Sequence, residues 1–293
     1  MKDWKEIAKK IFPKEFEEFT KISGRNPVTK FSTIEKDVDR RDIPWNALFY
    51  DLGNRKIVDL VGGIEDLNNK VSRFVGDPDM RIKEDPLRIL RILRFTSRYN
   101  FEMTKESTDA IERNKEQLKI IVRNRIWDEF YKAQVKNFDV YLKYIDQFDL
   151  WEYVFPGMKI NHNIVNCTSL EVYLGNLFSD EVVDDFNYFN DRLIQECFIP
   201  NEISRVSTFL IWFKDFTPEK VTEYYTKKNS YRIDNKTISE FISIIGLTGN
   251  EFKAFTKYIP TTSAQELMKQ GLKGKALGDK IKEIEIEKFK KLL

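Results

Sequence analysis

The stretch EDPLRILRILRFTSRY, residues 84–99, decides how this chain folds. Pro86 suits the first turn of a helix, and Asp85 just ahead of it offers a carboxylate to the free N–H groups there. Leu87, Ile89, Leu90, Ile92, Leu93 and Phe95 then supply a broad apolar face, so the longest helical pattern of the chain is read as beginning at Asp85-Pro86. Arg88, Arg91, Arg94 and Arg98 recur at steps of three, three and four, which lines four guanidinium groups along one stripe of that helix. Such a stripe repels itself and calls for an anion.

On the C-terminal side, helical periodicity continues over Lys105–Asn114, Arg125–Lys136 and Val140–Leu150, with a break at Pro156-Gly157 and new starts at Pro200 and Thr217-Pro218. On the N-terminal side, Val61-Gly62-Gly63 opens a helix running through Ile64 to Lys70. The runs Ala47–Asp51 and Lys56–Leu60 around Gly53-Asn54 predict a hairpin, the only convincing sheet in the chain. Trp4–Phe19 reads as one or two short amphipathic helices followed by a polar turn at Ser23–Pro27. The expected fold class is mainly α.

With 293 residues, 41% hydrophobic and 33% charged, the chain can bury a real core as one large or two to three small domains. No apolar run approaches the roughly 20 residues needed to cross a bilayer, and the first residues lack a signal-peptide pattern. The expectation is a cytoplasmic protein with no membrane contact. Cys167, Cys197 and the lone His162 form neither a zinc cluster nor a disulfide framework, and His162 is given no role. A net charge of +2 leaves nucleic-acid contact to local clusters: the arginine stripe, and the segment from Lys269 to the C-terminus. That segment also holds Glu283, Glu285 and Glu287, so it reads as a solvated helix as well. Aromatic residues between Tyr173 and Phe189 could stack bases, but at helical spacing aromatics are usually core.

Two residue sets carry possible chemistry. Arg40-Arg41-Asp42 with Asn46 has the parts of a nucleotide grip: guanidinium groups that fork onto phosphate and a carboxylate that accepts from a ribose hydroxyl. Taken alone it reads first as a solvated charge cluster at a strand start. Asp85 and Arg88, one helical turn apart, can together offer an acceptor and a donor to the Watson–Crick edge of a base. They can also be a helix cap and a surface partner.

The run Asp37-Val38-Asp39-Arg40-Arg41-Asp42-Ile43-Pro44-Trp45-Asn46-Ala47-Leu48 resembles the RRD motif, followed by NA, of class II tRNA nucleotidyltransferases (CCA-adding enzymes) and bacterial poly(A) polymerases. Ile57-Val58-Asp59, Gly62–Leu67 and Val71–Gly76 follow in family order, and Glu84–Arg88 resembles the base-selecting EDxxR motif, continued by Arg91, Arg94-Phe95 and Arg98. Several ordered motifs are far more specific than any one of them. Weaker similarity runs through Arg125-Ile126 and Glu129, like the end of the family's neck, and Gly271–Leu293 resembles its tail.

The resemblance implies that Arg41 and Asp42 contact the triphosphate and ribose of an incoming nucleotide. Asn46 would shape that pocket, Asp85 and Arg88 would read the base, and Arg91 and Arg94 would support phosphate or reader geometry. It further implies CTP, ATP and tRNA as partners and Mg2+ as cofactor. The domain scheme would be a partial α/β nucleotidyltransferase head at 1–63, a neck with the nucleotide-selecting helix at 64–135, a helical body at 136–210 and a helical, tRNA-binding tail at 211–293, in an elongated chain.

The departure lies upstream. The family's glycine-rich GGxxR turn and its metal-holding DxD strand are not recognisable before Asp37, and Asp37-Val38-Asp39 aligns with the acidic residues preceding RRD, reading as solvated charge. No catalytic or metal-ligating residue is therefore assigned. The expected function is addition of C and A to tRNA 3′ ends by a truncated or split enzyme, with a separate polypeptide carrying the catalytic head. The alternatives are poly(A) polymerase-like tailing, a non-catalytic tRNA- and nucleotide-binding protein, and a generic helical interaction protein.

Overall fold

The computed structural model describes residues 33–231, 233–246 and 249–293; the helices and turn expected within 4–27 lie outside the described residues. The chain divides into a unit of residues 1–40 and a unit of residues 41–293. In the first, the described residues form one short helix, α1 (Ile34–Asp39), in which Asp37 pairs with Arg40 at its end.

The second unit opens with a 3-10 turn at Pro44–Asn46 and the expected hairpin, β1 (Phe49–Asp51) against β2 (Lys56–Val58), antiparallel with Tyr50 opposite Ile57. The Asp51 carboxylate closes the turn by accepting from the backbone N–H groups of Gly53 at 2.8 Å and Asn54 at 3.1 Å. Helix α2 (Gly63–Asn69) follows, and its start is organised by Asp59, which accepts from the N–H groups of Val61, Gly62, Gly63 and Ile64 at 2.8–3.1 Å. Burial pushes that carboxyl up, yet these bonds outweigh it and hold its pKa below the ordinary value. Gly63 has to be glycine for a different reason: a Cβ there would stand 2.4 Å from the Pro44 carbonyl oxygen. Beyond the hairpin there is a further sheet, a parallel pair of two-residue strands, β3 (Val71–Ser72) and β4 (Glu102–Met103).

Helix α3 (Pro78–Glu84) starts on Asp77, whose side chain accepts from Met80 N–H at 2.9 Å, with Pro78 in its first turn. Helix α4 (Arg88–Tyr99) is the arginine-striped segment. It begins three residues later than its pattern suggested, because Asp85 is held extended at φ −150° and ψ 98°, as a residue before proline prefers. At 12 residues it is not the longest helix among the described residues; that is the C-terminal one, with 17. Ile89, Leu90, Ile92 and Leu93 are fully buried, and Trp45 meets Phe95, Tyr99 and Phe101 edge-on at 5.1–5.6 Å between centroids.

The remainder is helical: α5 (Lys105–Asn114), α6 (Arg123–Ala133), α7 (Phe138–Gln147), the short α8 (Trp151–Val154), α9 (Leu170–Leu177), α10 (Phe186–Gln195), α11 (Asn201–Phe213), α12 (Pro218–Tyr231), α13 (Asn235–Ile244), α14 (Gly249–Lys257), α15 (Ala264–Lys269) and α16 (Gly274–Lys290). Helix α4 packs on α6 and α7, α9 and α10 pack on α11, and α12 packs on α16, so one apolar core runs from Ile43 to Phe289. Tyr173, Phe178 and Phe189 are in that core, and only Tyr188 of this aromatic group stands well out of it, 67% exposed. Among the described residues no helix is long and apolar enough to cross a membrane. The C-terminal segment is not uniformly solvated: Glu285 is buried and accepts from Tyr258 Oη at 2.6 Å and from the N–H of Thr262 at 2.7 Å.

Candidate nucleotide site

The extended Asp85 and the bend at Pro86 turn the chain from α3 into α4, and the turn is closed by Arg88 N–H donating to Asp85 C=O at 3.0 Å. The two side chains nevertheless diverge. Asp85 Oδ1 accepts from Leu87 N–H at 3.3 Å, while Oδ2 accepts from Arg125 Nη2 of α6 at 2.8 Å. Arg88 turns to α3, donating through Nη1 to Glu84 Oε2 at 2.6 Å and to Arg81 C=O at 2.8 Å. The bond from Arg88, with the nearby Arg81, holds the Glu84 carboxyl below its ordinary pKa. Asp85 thus faces a cleft of about 220 Å³ between the α4 start and α6, shared with Leu87, Arg91, Arg125, Asp128, Glu129 and Lys132.

Deeper along the stripe, the expected anion is supplied by the protein itself. Arg91 donates through Nε to Asp42 Oδ2 at 2.7 Å, with Nη2 at 2.6 Å from the same oxygen, and reaches Glu129 Oε1 through Nη1 at 3.4 Å. The buried Arg94 donates through Nε to Glu129 Oε2 at 2.8 Å and lies over the Phe95 ring at 4.1 Å. Burial by itself would lower the pKa of Arg91, but Asp42 and Glu129 outweigh it and raise it. Arg98, last in the stripe, lies 5.9 Å from the Tyr99 ring centroid.

The structure therefore brings Asp42 and Arg91 into contact, and Arg94 into the same network through Glu129. Arg41 sits over the Phe49 ring at 5.6 Å and donates to Asn46 C=O at 3.5 Å, so Asn46 meets it through its backbone, within the 3-10 turn. The sequence reading assigned Asp42 and Asp85 but gave no site role to Glu84 or Glu129. Glu129 was marked by one signal: it lies among the buried Ile126, Trp127, Phe130 and Ala133 of α6, and a carboxylate on such a face demands a buried cation. Glu84 was marked by its place four residues before Arg88.

Among the described residues no group of three or more His, Cys, Asp or Glu side chains could hold a metal ion, and Asp42, Glu84, Asp85 and Glu129 are each engaged by arginine. The described residues do not fit the magnesium ions that the resemblance implies. His162 lies at the surface against Asp146, away from the cleft residues in its contacts. The Cys167 and Cys197 thiols are buried, and burial pushes both up to about 12.

Comparison with known proteins gives matches to two family models, the poly A polymerase head domain at residues 6–73 and the probable RNA- and SrmB-binding site of polymerase A at residues 100–160. The CCA-adding enzyme of Lactobacillus helveticus is 46% identical over 108 residues, 37% of this chain and 27% of that protein. Poly(A) polymerase I of Salmonella typhi is 35% identical over 128 residues, 43% of this chain and 27% of its own length. The A-adding tRNA nucleotidyltransferase of Aquifex aeolicus is 26% identical over 92% of this chain and 36% of that protein. The chain thus spans roughly a quarter to a third of these relatives. Among solved structures, the Bacillus stearothermophilus CCA-adding enzyme in complex with CTP superposes with a TM-score of 0.63 at 18% identity, over 88% of this chain and 70% of that one. The Thermotoga maritima CCA-adding enzyme complexed with tRNA does so with 0.58 at 21% identity, over 94% and 80%. At these identities the superpositions establish the fold. Over residues 6–73 and 100–160 the chain is thus similar to class II tRNA nucleotidyltransferases and bacterial poly(A) polymerases.

Proposed function

We propose that this chain selects the nucleotide and holds the RNA in template-independent addition of C and A to tRNA 3′ ends, in the cytoplasm, with CTP and ATP as substrates. The observation that carries the proposal is the Asp85 carboxylate standing in a cleft edged by Arg91, Arg125 and Lys132. An ionised carboxylate is an acceptor only, so it suits the exocyclic amino group of cytosine or adenine, and the surrounding cations suit a triphosphate. Arg88 joins Asp85 at the base by exchanging Glu84 for it. Arg41, Asp42 and Asn46 shape the ribose and phosphate side, and Arg94 fixes the reader helix. In this scheme residues 64–135 are the neck, 136–210 the body and 211–293 a tail whose exposed Lys269, Lys273, Lys275 and Lys282 meet the tRNA backbone. The family's metal-holding carboxylates, with Mg2+, would be contributed by a catalytic head on a separate polypeptide.

The likeness to the Aquifex tRNA nucleotidyltransferase along 92% of the chain supports tRNA over other RNA. The 35% identity to poly(A) polymerase I supports poly(A) tailing as a second reading, over a shorter stretch. Incorporation of labelled CTP and ATP into a tRNA lacking its 3′ CCA, with and without an added catalytic-head polypeptide, separates the two. Ordered C and A addition is expected; runs of A on any RNA support the second reading. Binding of tRNA with no transfer under either condition leaves a non-catalytic binder. Equal CTP and ATP affinity in wild type and Asp85→Ala would remove Asp85 from base reading.

A further inference from the structure

Beside the nucleotide cleft lies a polar cavity of about 260 Å³, where the chain leaves α6 and enters α7, walled on its other side by the loop that leads into α9. Lys136, Asn137, Asp139, Asn166, Thr168 and Tyr173 line it. The two hollows adjoin along one element. Lys132, in the last turn of α6, edges the cleft, and Gln134, two residues on, edges the cavity, so their Cα atoms are at most about 7.6 Å apart. We propose that this cavity seats the unpaired strand at the 3′ end of the RNA, with Lys136 on a backbone phosphate, as the strand passes to the nucleotide held beside Asp85. The inference rests on the reading that this chain holds the RNA, as proposed above, and assigns the place where the strand is held.

One side of the lining offers donors. Tyr173, only 8% exposed, donates through Oη to Asn166 Oδ1 at 2.7 Å, which leaves the Asn166 amide nitrogen, with two N–H groups, for a ligand. Lys136 is exposed and meets no carboxylate among the described residues, and an ammonium group so placed suits a phosphate oxygen. Thr168 is spent on Glu240 of α13, its N–H donating to Oε1 at 2.5 Å. Asn137 Nδ2 donates to the C=O of Ser97 at 3.0 Å and of Arg98 at 3.5 Å, which fastens the cavity to the C-terminal end of α4. That end carries Arg98, the arginine of the stripe that no carboxylate meets among the described residues, and its charge adds to the positive potential there. The other side offers acceptors: Asn137 keeps Oδ1, and Asp139 is paired only loosely, with Lys143 at 3.5 Å. Acceptors suit the 2′-hydroxyl that distinguishes RNA from DNA. Donors for a phosphate and acceptors for a ribose in one cavity match a unit of the RNA chain.

The test is equilibrium binding, to the full chain, of a tRNA whose unpaired 3′ strand ends in CC and of the same tRNA trimmed back to its paired stem. Both are measured over a series of salt concentrations for wild type, Lys136→Ala, Lys136→Glu and Asn166→Ala, with CTP binding alongside. Lys136→Ala is expected to weaken the CC-ended tRNA about fivefold and to lower the slope of log affinity against log salt by about one, the mark of one lost phosphate contact. Lys136→Glu, which repels the strand, should weaken it further. Asn166→Ala should weaken it with the slope unchanged, since an uncharged donor is lost. The trimmed tRNA has no strand to place and should bind all variants alike, and CTP affinity should stay at the wild-type value. Equal weakening of both tRNAs puts Lys136 on the paired stem and overturns the proposal; so does unchanged affinity and slope in both Lys136 variants. Loss of CTP affinity in parallel with the CC-ended tRNA assigns the cavity to the nucleotide cleft and overturns it as well. Should Asn166→Ala melt early because Tyr173 loses its partner, the exposed Lys136 decides the question alone. A wild type that binds neither tRNA sinks the RNA-holding reading itself, a result distinct from a missing Lys136 effect in a chain that binds RNA.

Discussion

Arg91 lies against Asp42 across 49 residues of sequence, with Nε and Nη2 2.7 and 2.6 Å from the same carboxylate oxygen. It links the Asp42 loop directly to helix α4. Asp42 is buried, and its other oxygen receives only the neighbouring N–H of Ile43, at 3.1 Å. Arg91→Ala therefore leaves a buried carboxylate without its cation and is expected to cost about 3 kcal/mol, the low end for a broken buried pair because Arg91 itself is one-third exposed. Urea denaturation measures this. Arg91→Lys should recover only part, since a single ammonium cannot reproduce a guanidinium shared between Asp42 and Glu129.

Glu129 holds Arg94, Arg91 and Lys132 from one buried carboxylate. Glu129→Gln keeps the shape but strips the charge from beside the buried Arg94, and a loss of about 3–5 kcal/mol is expected. The double variant Glu129→Leu with Arg94→Met removes both buried charges and should be less destabilised than Glu129→Gln alone. Equal or greater loss in the double variant, read from the same urea curves, would show that hydrogen-bond geometry rather than charge burial governs this contact.

Two glycines make opposite predictions. Gly63→Ala drives a Cβ to 2.4 Å from backbone of the Pro44 turn and should cost about 1–3 kcal/mol as the turn is displaced. Gly278, inside α16, has nothing within 4 Å of a Cβ, so Gly278→Ala should stabilise by about 0.5–1 kcal/mol through helix propensity. Thermal melts of the two variants should move in opposite directions.

Glu285 ties α16 to the loop ahead of α15. Burial pushes its carboxyl up, but bonds from Thr262, Tyr258 and Lys288 outweigh that and hold it down at about 2. A carboxylate depressed in the folded state contributes stability that is present above its unfolded pKa, about 4.3, and is lost as the pH falls towards 2. The contribution is on the order of 3 kcal/mol. Stability measured from pH 6 down to pH 2 should fall across that window in wild type, and Glu285→Gln should flatten the corresponding part of the curve.

Much of the fold was legible because it rests on local rules. The apolar period of residues 87–95 and the Gly53-Asn54 turn each act within a few residues, and the helix and hairpin formed where those signals stood. The Glu84–Arg88 pair belongs to the same class, being one turn apart on the chain. Residue types and order also carried the resemblance to tRNA nucleotidyltransferases and poly(A) polymerases.

Only the tertiary structure decided which charge meets which. Arg91 with Asp42, Arg94 with Glu129 and Arg125 with Asp85 are separated by 49, 35 and 40 residues, and no periodicity relates them. The first two pairs exist because the packing of α4 on α6, and of the Asp42 loop beside them, brings charges together out of water, where an unmatched charge is far too costly to leave. Four arginines on one stripe announced that anions were needed; the fold determined that Asp42, Glu84 and Glu129 would meet three of them from within, and that Asp85, though next to Arg88 in the turn, would face another helix.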